Sequence, residues 1–549
     1  MTTYRLVRQP RPDPAQRPVL DADQQAVVDH PGGPLLVLAG PGTGKTTTLV
    51  EAIARRIEQG ADPASILALT FSRKAAEQLR DRVIARVGRT VSTTLSSTFH
   101  SFAYGLIRQW SPPELYDEPL RLLSAPEQDV VLQQILTREA ESIRWPESVQ
   151  GAVGTRGFAG EVAQVLARAQ EKGLGFEALR RLGETEQVPE FVAAAAFMEQ
   201  YDLVSGHQNF LDYASLIATA VRMLQDPDQP VREALRDQLR HVFVDEYQDT
   251  DPAQVALLRA IAGDGRDLTV VGDPHQAIYA FRGAEVRGIL EFPDRFRRAD
   301  GQRADTLVLG TTRRFGSRLL RASQHVASRL PLPGAVPPPA LARFLRPETA
   351  QPVPGSVELL TYDTERAEAE HLADLLRRAH LEDAVPWSDM AVLVRSGRTS
   401  IPGLRRSLIA AGVPTEVAAD DTPLVREPAV QPLLAALAVL VDADVDDPED
   451  PSYVDAPRVA DLLATPLAGL DAADVRTVAR RLRLREREQA SRHGRTPRSS
   501  TELLRDAILD PEGLLDGLPD PGPAERRAAA FATLLAEARR KAAGGAAVE

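Results

Sequence analysis

No cysteine occurs among the 549 residues. Disulfide frameworks, thiolate metal sites, iron–sulfur clusters and cysteine nucleophiles are excluded together. The chain also lacks any uncharged apolar run near the roughly 18 residues needed to span a bilayer. Its start, MTTYRLVRQPRPDPAQRP, holds no apolar signal core. No membrane segment is expected, and a cytoplasmic protein follows by default. Basic residues are the minority, 65 Lys and Arg against 77 Asp and Glu, for a formal net charge of −12. That excludes a bulk polybasic nucleic-acid binder and leaves room for a local basic groove. Lysine is scarce: Lys45, Lys74, Lys172 and Lys541 stand in an arginine- and alanine-rich background. Two of the four fall inside the motifs below.

What is present is ordinary for a globular chain, 43% hydrophobic and 26% charged, and the length calls for several domains. Residues 1–19 are polar and proline-rich and read as a flexible tail. From Pro34 short apolar runs alternate with amphipathic helices. Strands are predicted at Leu35–Leu38, Ile66–Phe71, Val242–Val244 and Leu268–Val271, and helices from Lys45 and over Lys74–Val87. Fully apolar strands separated by helices imply a parallel sheet covered on both faces. Between 103 and 235 the strand signal gives way to helical period, as in Glu127–Ile143 and Glu161–Glu171, which predicts a helical insertion.

A second strand–helix series follows. Strands are expected at Thr306–Leu309, Val357–Thr361, Met390–Val394 and Thr415–Ala418, with helices at Ser317–Arg329, Glu365–His380 and Ile401–Ala411. The proline-rich Pro331–Pro354 reads as an extended connection. From about 427 onward the chain is helical and alanine-rich, with an acidic stretch at Asp442–Asp450.

Three motifs carry chemistry. The first is AGPGTGKT, Ala39 to Thr46, between a predicted strand and a predicted helix. A polyphosphate needs close-packed backbone donors, and Gly40, Gly42 and Gly44 remove the side chains that would block them. Pro41 and Thr43 complete the turn. Lys45 supplies charge for the β- and γ-phosphates, and the Thr46 hydroxyl can ligate Mg²⁺. The generic pattern opens with Gly, where this chain has Ala39. The bland alternative is a chance glycine turn.

The second motif is HVFVDEYQDT, His241 to Thr250. Its apolar run delivers Asp245 and Glu246 to a strand end, where one carboxylate can hold Mg²⁺ and the next can activate the attacking water. Alone, such an acid pair is most often a solvated strand end; beside a phosphate loop it is not. The third is VVGDPHQAIYAFRGA, Val270 to Ala284. Gln276 lies just past a strand end, where it could sense the γ-phosphate. Tyr279 and Phe281 follow at alternate positions. Exposed rings there could stack on bases; buried ones would be core.

These residues resemble a superfamily 1 DNA helicase of the UvrD/Rep/RecB type, over about residues 20–440. LDADQQAVV at 20–28 resembles the family's glutamine motif, with Gln24 in the adenine-reading position. LALTFSRKAAEQLRDRV at 67–83 and STFHSFA at 97–103 are similar to its early DNA-contacting motifs. The resemblance implies two RecA-like P-loop domains that grip ATP between them and step along single-stranded DNA, 3′ to 5′, in repair or recombination. Under it the first domain takes 20–102 with 236–290, a helical insertion 103–235, a partial second domain 291–426 and its truncated helical insertion 427–549. Lys45 and Thr46 then bind phosphate and Mg²⁺, Asp245 binds Mg²⁺, Glu246 is the catalytic base, and Gln276 with Arg282 couples ATP to DNA. Phe71, Lys74, His100, Tyr279 and Phe281 become candidate DNA contacts. The substrate is single-stranded DNA or a duplex with a single-stranded tail, and the cofactors are ATP and Mg²⁺.

The departures matter as well. The family usually carries Trp where this chain has Phe281. In LGTTRRFGS at 309–317, Arg314 fits the arginine that reaches the γ-phosphate, and Arg313 replaces a tyrosine that stacks on adenine; a guanidinium can also stack on a π-face. The family's last two motifs are not found after residue 440, so low hydrolysis by this chain alone is expected. Two other readings remain: a motor subunit of a helicase–nuclease complex with a second subunit, and a non-catalytic ATP-binding scaffold or fragment. Asp212 and Tyr213 in FLDYASLI match a family segment leading out of the insertion and read as structural. His30, His207 and His325 have no partner spacing for a metal.

Overall fold

The computed structural model describes residues 17–88, 95–110, 120–138, 143–279, 283–417, 430–445, 447, 450, 452–510 and 520–543. The chain divides into two compact units, Met1–Glu358 and Leu359–Glu549.

The first unit is built on one six-stranded sheet. Its strands are β1 (Pro34–Ala39), β2 (Ile66–Thr70), β3 (Ser96–Thr98), β4 (His241–Val244), β5 (Asp267–Gly272) and β6 (Asp305–Leu309), in the spatial order β3-β2-β4-β5-β1-β6. Every neighbouring pair is parallel. Successive side chains of a strand point to opposite faces, and here both faces are buried. Leu35, Val37, Ala68 and Phe243 face helices α1 (Ala22–Val28), α2 (Lys45–Glu58) and α3 (Arg73–Val87) through Val27, Leu49, Ile53 and Leu79. Leu36, Leu38, Leu69, Val244 and Val270 face the other core.

Helix α4 (Phe99–Trp110) packs on that second face. The chain then leaves the sheet through α5 (Ala125–Arg138), α6 (Arg156–Glu171), α7 (Phe176–Thr185) and α8 (Pro189–His207). These bury a core of their own, from Leu123 to Phe210, with Phe197 and Tyr201 at its centre. Short strands at Arg121–Leu122 and Phe210–Leu211 pair at its base. Helices α9 (Tyr213–Gln225) and α10 (Val231–Gln238) return to the sheet, and α11 (Pro252–Ala262) and α12 (Val286–Arg295) complete that face. The helical insertion is therefore narrower than 103–235: Ala103, Leu106, Leu216, Ala220, Val231 and Leu235 all belong to the sheet's core.

Two further expectations need correction in this unit. Thr306–Leu309 does not open a second sheet. As part of β6 it pairs with β1, Val37 opposite Leu307, and so supplies β1 with its second hydrogen-bonded neighbour. An apolar run announces a strand but not its partner, and β1 without β6 would be left as an open edge. The proline-rich stretch is not wholly extended either. After α13 (Ser317–Ala327), Pro337 caps α14 (Pro338–Phe344), with prolines in its first turn. Proline fits there, since its missing N–H is one a helix start leaves unpaired anyway. Glu348–Thr349 then pairs with Thr311–Thr312.

The second unit holds α15 (Glu365–Leu381) and α16 (Gly397–Ala410), which meet at a small core of Ala373, Leu408 and Val413. A helical group follows: α17 (Gln431–Asp442), α18 (Ala456–Leu463), α19 (Ala472–Arg492), α20 (Ser500–Leu509) and α21 (Pro523–Ala543), around Val459, Leu462, Leu504 and Ala528. No second parallel sheet forms among the described residues. Val357–Thr361, Met390–Val394 and Thr415–Val417 carry no ladder bonds, and Ala418 lies outside the described residues. Leu359 and Leu393 are 93% and 94% exposed. A parallel strand is stable only with hydrogen-bonded neighbours, and these runs have none among the described residues. No helix among the described residues is long and apolar enough to cross a membrane.

Candidate active site

In a parallel sheet all carboxyl ends lie along one edge, and ligands bind outside it. Phe71 follows β2, Asp245 follows β4, Asp273 follows β5 and Gly40 follows β1. All three motifs are thereby brought to one edge of the sheet.

Ala39 ends β1, and the turn from Gly40 to Gly44 leads into α2, which opens on Lys45 and Thr46. Gly42 and Gly44 have φ of +76° and +92°, a left-handed backbone that L side chains rarely adopt. Space is equally limiting. A Cβ on Gly44 would lie 2.4 Å from Nε2 of Gln24, and one on Gly42 2.4 Å from Cβ of Arg314. The Thr43 hydroxyl braces the turn by donating to the Gly40 carbonyl at 2.8 Å. The first turn of α2 leaves backbone N–H groups for an anion.

Gln24 sits behind the turn, buried. Its Nε2 donates to the Thr43 carbonyl at 3.2 Å, and its Oε1 accepts from the Asp21 N–H at 3.1 Å, closing a capping box on α1. Each end of the amide makes one bond to the protein, so Gln24 buttresses the loop, and a primary amide has a second N–H and a second lone pair beyond these. The segment after β6 closes over the loop from the other side. Thr312 donates its hydroxyl to the Pro41 carbonyl at 2.8 Å, and the Arg313 N–H donates to the Gly42 carbonyl at 2.8 Å. The Arg313 guanidinium pairs with Asp21 at 2.6 Å rather than standing free as a stacking plane. Arg314 is exposed beside Gly42.

The acid pair faces this turn. Lys45 Nζ donates to Glu246 Oε2 at 2.8 Å. Glu246 itself has a left-handed backbone, φ 52°, a conformation that costs a non-glycine residue roughly 1 kcal/mol or more. Asp245 is buried. Burial, and then the neighbouring Glu246 charge, push its carboxyl up to about 6 against the pull of Lys45. Asp249, in the same turn, is raised to about 6 by burial and by Glu246. A hydroxyl, buried carboxylates, a lysine and bare amides are a donor set that suits a triphosphate with a hard divalent cation.

Two residues without an assigned role in the sequence reading connect this acid pair to the third motif. Gln248 donates through Nε2 to Glu246 Oε2 at 2.9 Å and accepts the Asp273 N–H at 2.9 Å. Asp273 then accepts from Gln276 Nε2 at 2.6 Å. A continuous chain of hydrogen bonds thus runs Lys45–Glu246–Gln248–Asp273–Gln276. The signal was present in DEYQD and GDPHQ, but only the tertiary fold shows that their polar residues meet.

The aromatic candidates separate into two groups. Phe71 and Tyr279 stack on each other, ring centroids 4.4 Å apart at 27°. His100, on α4, lies 5.9 Å from the ring of Tyr213. Burial lowers the His100 pKa, opposed by a hydrogen bond with the Tyr213 backbone. Tyr213 is 48% exposed, so this residue, read as structural, presents an open ring beside His100. Asp212 is structural: buried, it caps α9 and accepts from the Tyr201 hydroxyl. Lys74 is exposed in the first turn of α3. Phe281 and Arg282 lie outside the described residues.

Residues 20–297 match the family model described as the UvrD/REP helicase N-terminal domain. The chain is 31% identical over 426 residues to a Mycobacterium tuberculosis protein named ATP-dependent DNA helicase UvrD1, covering 74% of this chain and 51% of that one. It is 31% identical over 431 residues to UvrD2 of the same organism, covering 76% and 57%. It is 28% identical over 384 residues to the ATP-dependent DNA helicase PcrA of Staphylococcus epidermidis, covering 69% and 48%. The chain spans about half the length of these relatives. With the loop, the acid pair and the third motif on one sheet edge, and more than half the chain matched by its model, this protein belongs to the UvrD/REP helicase family.

Proposed function

We propose that the chain is the ATP-driven, DNA-gripping part of a helicase that moves along single-stranded DNA, 3′ to 5′ by its resemblance to the family, in repair or recombination. The observation that carries this reading is the contact of Lys45 with Glu246: the phosphate-loop lysine and the candidate base occupy one site. In the proposed roles, the amides of Gly42 to Thr46 and Lys45 hold the β- and γ-phosphates of ATP. Thr46 and Asp245 hold Mg²⁺, which when bound supplies charge to polarise the phosphoryl oxygens. Lys45 turns to phosphate and frees the Glu246 carboxylate to take a proton from water. Gln276 senses the γ-phosphate through the Gln248–Asp273 chain, and Arg314 reaches the same phosphate.

The substrate is single-stranded DNA or a duplex with a single-stranded tail. Stacked rings can open to admit a base, and stacking is worth about 1–3 kcal/mol per base without regard to sequence. Phe71, Tyr279, Phe281, His100 and, from its exposure, Tyr213 serve as the stacking and contact set, with Lys74 beside them for phosphate. The test is ATP hydrolysis with Mg²⁺, with and without an oligo-dT strand. Stimulation by DNA supports the motor; ATP binding without turnover supports a scaffold; no ATP binding refutes both.

A further inference from the structure

Lys172 is the one lysine of the first unit outside the sequence motifs. It caps α6 of the helical insertion, and its Nζ lies 2.7 Å from Oε1 of Glu285. Glu285 is the N-cap of α12 but makes no side-chain capping bond; its carboxylate is turned to Lys172 instead. One turn back on α6, Arg168 and Glu171 pair at 2.9 Å and lie over Gly283. A Cβ on Gly283 would stand 2.3 Å from Glu171 Oε2 and 2.9 Å from Arg168 Nη1, and the residue has φ +87°. The last turn of α6 thus holds segment 283–285 at both ends.

That segment touches both halves of the proposed machinery. The Ala284 N–H donates to the Tyr279 carbonyl at 3.3 Å, and the Glu285 N–H to the Thr250 carbonyl at 3.3 Å. Thr250 closes the turn that begins at Glu246, its hydroxyl donating to the Tyr247 carbonyl. Next along the chain, Asp251 is buried, and the charges of Glu171 and Glu285 reach it; burial and these two acids raise its pKa to about 7. Three carboxylates therefore crowd this junction, and Arg168 and Lys172 are the cations of the α6 turn that offset them. An exposed ion pair elsewhere contributes at most about 1 kcal/mol of stability. Here the pair joins two bodies with separate cores, the insertion and the sheet.

Building on the ATP and DNA roles above, we propose that Lys172 is a positioning residue: paired with Glu285, it ties segment 283–285 to the helical insertion, so that a shift of the Glu246 turn on nucleotide binding reaches Tyr279 and α6 together. Without the tie segment 283–285 keeps its backbone bonds to Thr250 and Tyr279 but loses its side-chain anchor on α6, and a shift of the Glu246 turn reaches the DNA-side ring less fully.

The test is the affinity of the full chain for a labelled oligo-dT strand, measured with and without Mg²⁺ and a non-hydrolysable ATP analogue. The wild-type chain should show a change in DNA affinity on adding the analogue, on the order of fivefold or more. Lys172→Glu should shrink that change to less than about twofold, while analogue affinity and DNA affinity alone stay near wild type. The charge swap Lys172→Glu with Glu285→Lys should restore it. A Lys172→Glu chain that keeps the wild-type change, or a swap that restores nothing, overturns the tie. Wild type that binds both ligands without coupling overturns it as well. Wild type that binds neither ligand overturns the functional reading instead.

Discussion

Lys45 and Glu246 are 201 residues apart in sequence and 2.8 Å apart in space. Each neutralises the other, and Gln248 adds a second donor to the same carboxylate oxygen. Under the proposed function a triphosphate competes with Glu246 for Lys45, and its binding would free the carboxylate as substrate arrives.

That competition separates binding from turnover. Glu246→Gln removes the charge that holds Lys45 and, with it, the proposed base. Hydrolysis should fall by about 10²–10⁴, while Mg-ATP binds as tightly as in wild type or more tightly. Phosphate release and titration with a fluorescent ATP analogue read the two effects separately. Unchanged turnover would remove Glu246 as the base.

Gly44→Ala tests the loop's geometry. The new methyl needs a left-handed backbone and stands 2.4 Å from Gln24 Nε2. The strain alone is roughly 1–2 kcal/mol. ATP affinity should drop about tenfold or more, corresponding to about 1.4 kcal/mol, with the thermal midpoint lowered. Wild-type affinity in this variant would show that the turn does not hold the phosphates.

Phe71 and Tyr279 share one stack, so their contributions to DNA binding should not add. Either ring truncated to alanine should weaken oligo-dT binding by about 1–3 kcal/mol, and DNA-stimulated hydrolysis should fall further than basal hydrolysis. The double variant should lose less than the sum of the singles. Additive losses would mean that the rings meet DNA separately.

Asp251 gives a pH signature. Its folded pKa, about 7, stands above the unfolded value of 3.8, because of burial and then, against the pull of its own capping bond to Gln254, the charges of Glu171 and Glu285. The folded state thus holds a proton that the unfolded state releases first. Stability from this group is fully present below about pH 4 and is lost as pH rises through 7, by at most about 1.4 kcal/mol per unit. Asp251→Asn keeps a side-chain acceptor for the cap and removes the titration. The gap between the thermal midpoints of variant and wild type should widen from pH 5 to pH 8. A constant gap would show that Asp251 does not titrate in this range.

Much of the active edge was legible because its signals are local. Glycines at 40, 42 and 44 have few uses other than a turn that must bare its amides. The short apolar runs before Gly40, Asp245 and Asp273 were long enough to read as strands, and parallel pairing delivers all three to one edge. What failed was pairing choice. The strand Thr306–Leu309 was recognisable, but its neighbour β1 lies some 270 residues earlier, and nothing in its own pattern names that partner. Val357–Thr361 and Met390–Val394 have the same apolar pattern and pair with no strand among the described residues, since pattern supplies a face to bury and not a ladder to bond. Prolines 337–339 were read as part of an extended connection, yet a helix start accommodates them. The exposure of Tyr213 was not legible because exposure is a tertiary property: the residue sits at a helix start, and only the fold brings its ring beside His100.

Strand β1 is hydrogen-bonded on one side to β5 and on the other to β6, and Leu35 through Ala39 are wholly buried. Its amides should be among the last in the chain to exchange with deuterated solvent. The five-residue loop Gly40–Gly44 hangs from that strand and is re-anchored at its far end by α2. In the proposed site, whatever pliancy the loop needs to close on phosphate while Lys45 leaves Glu246 is therefore confined to a span short enough for a few peptide units to carry.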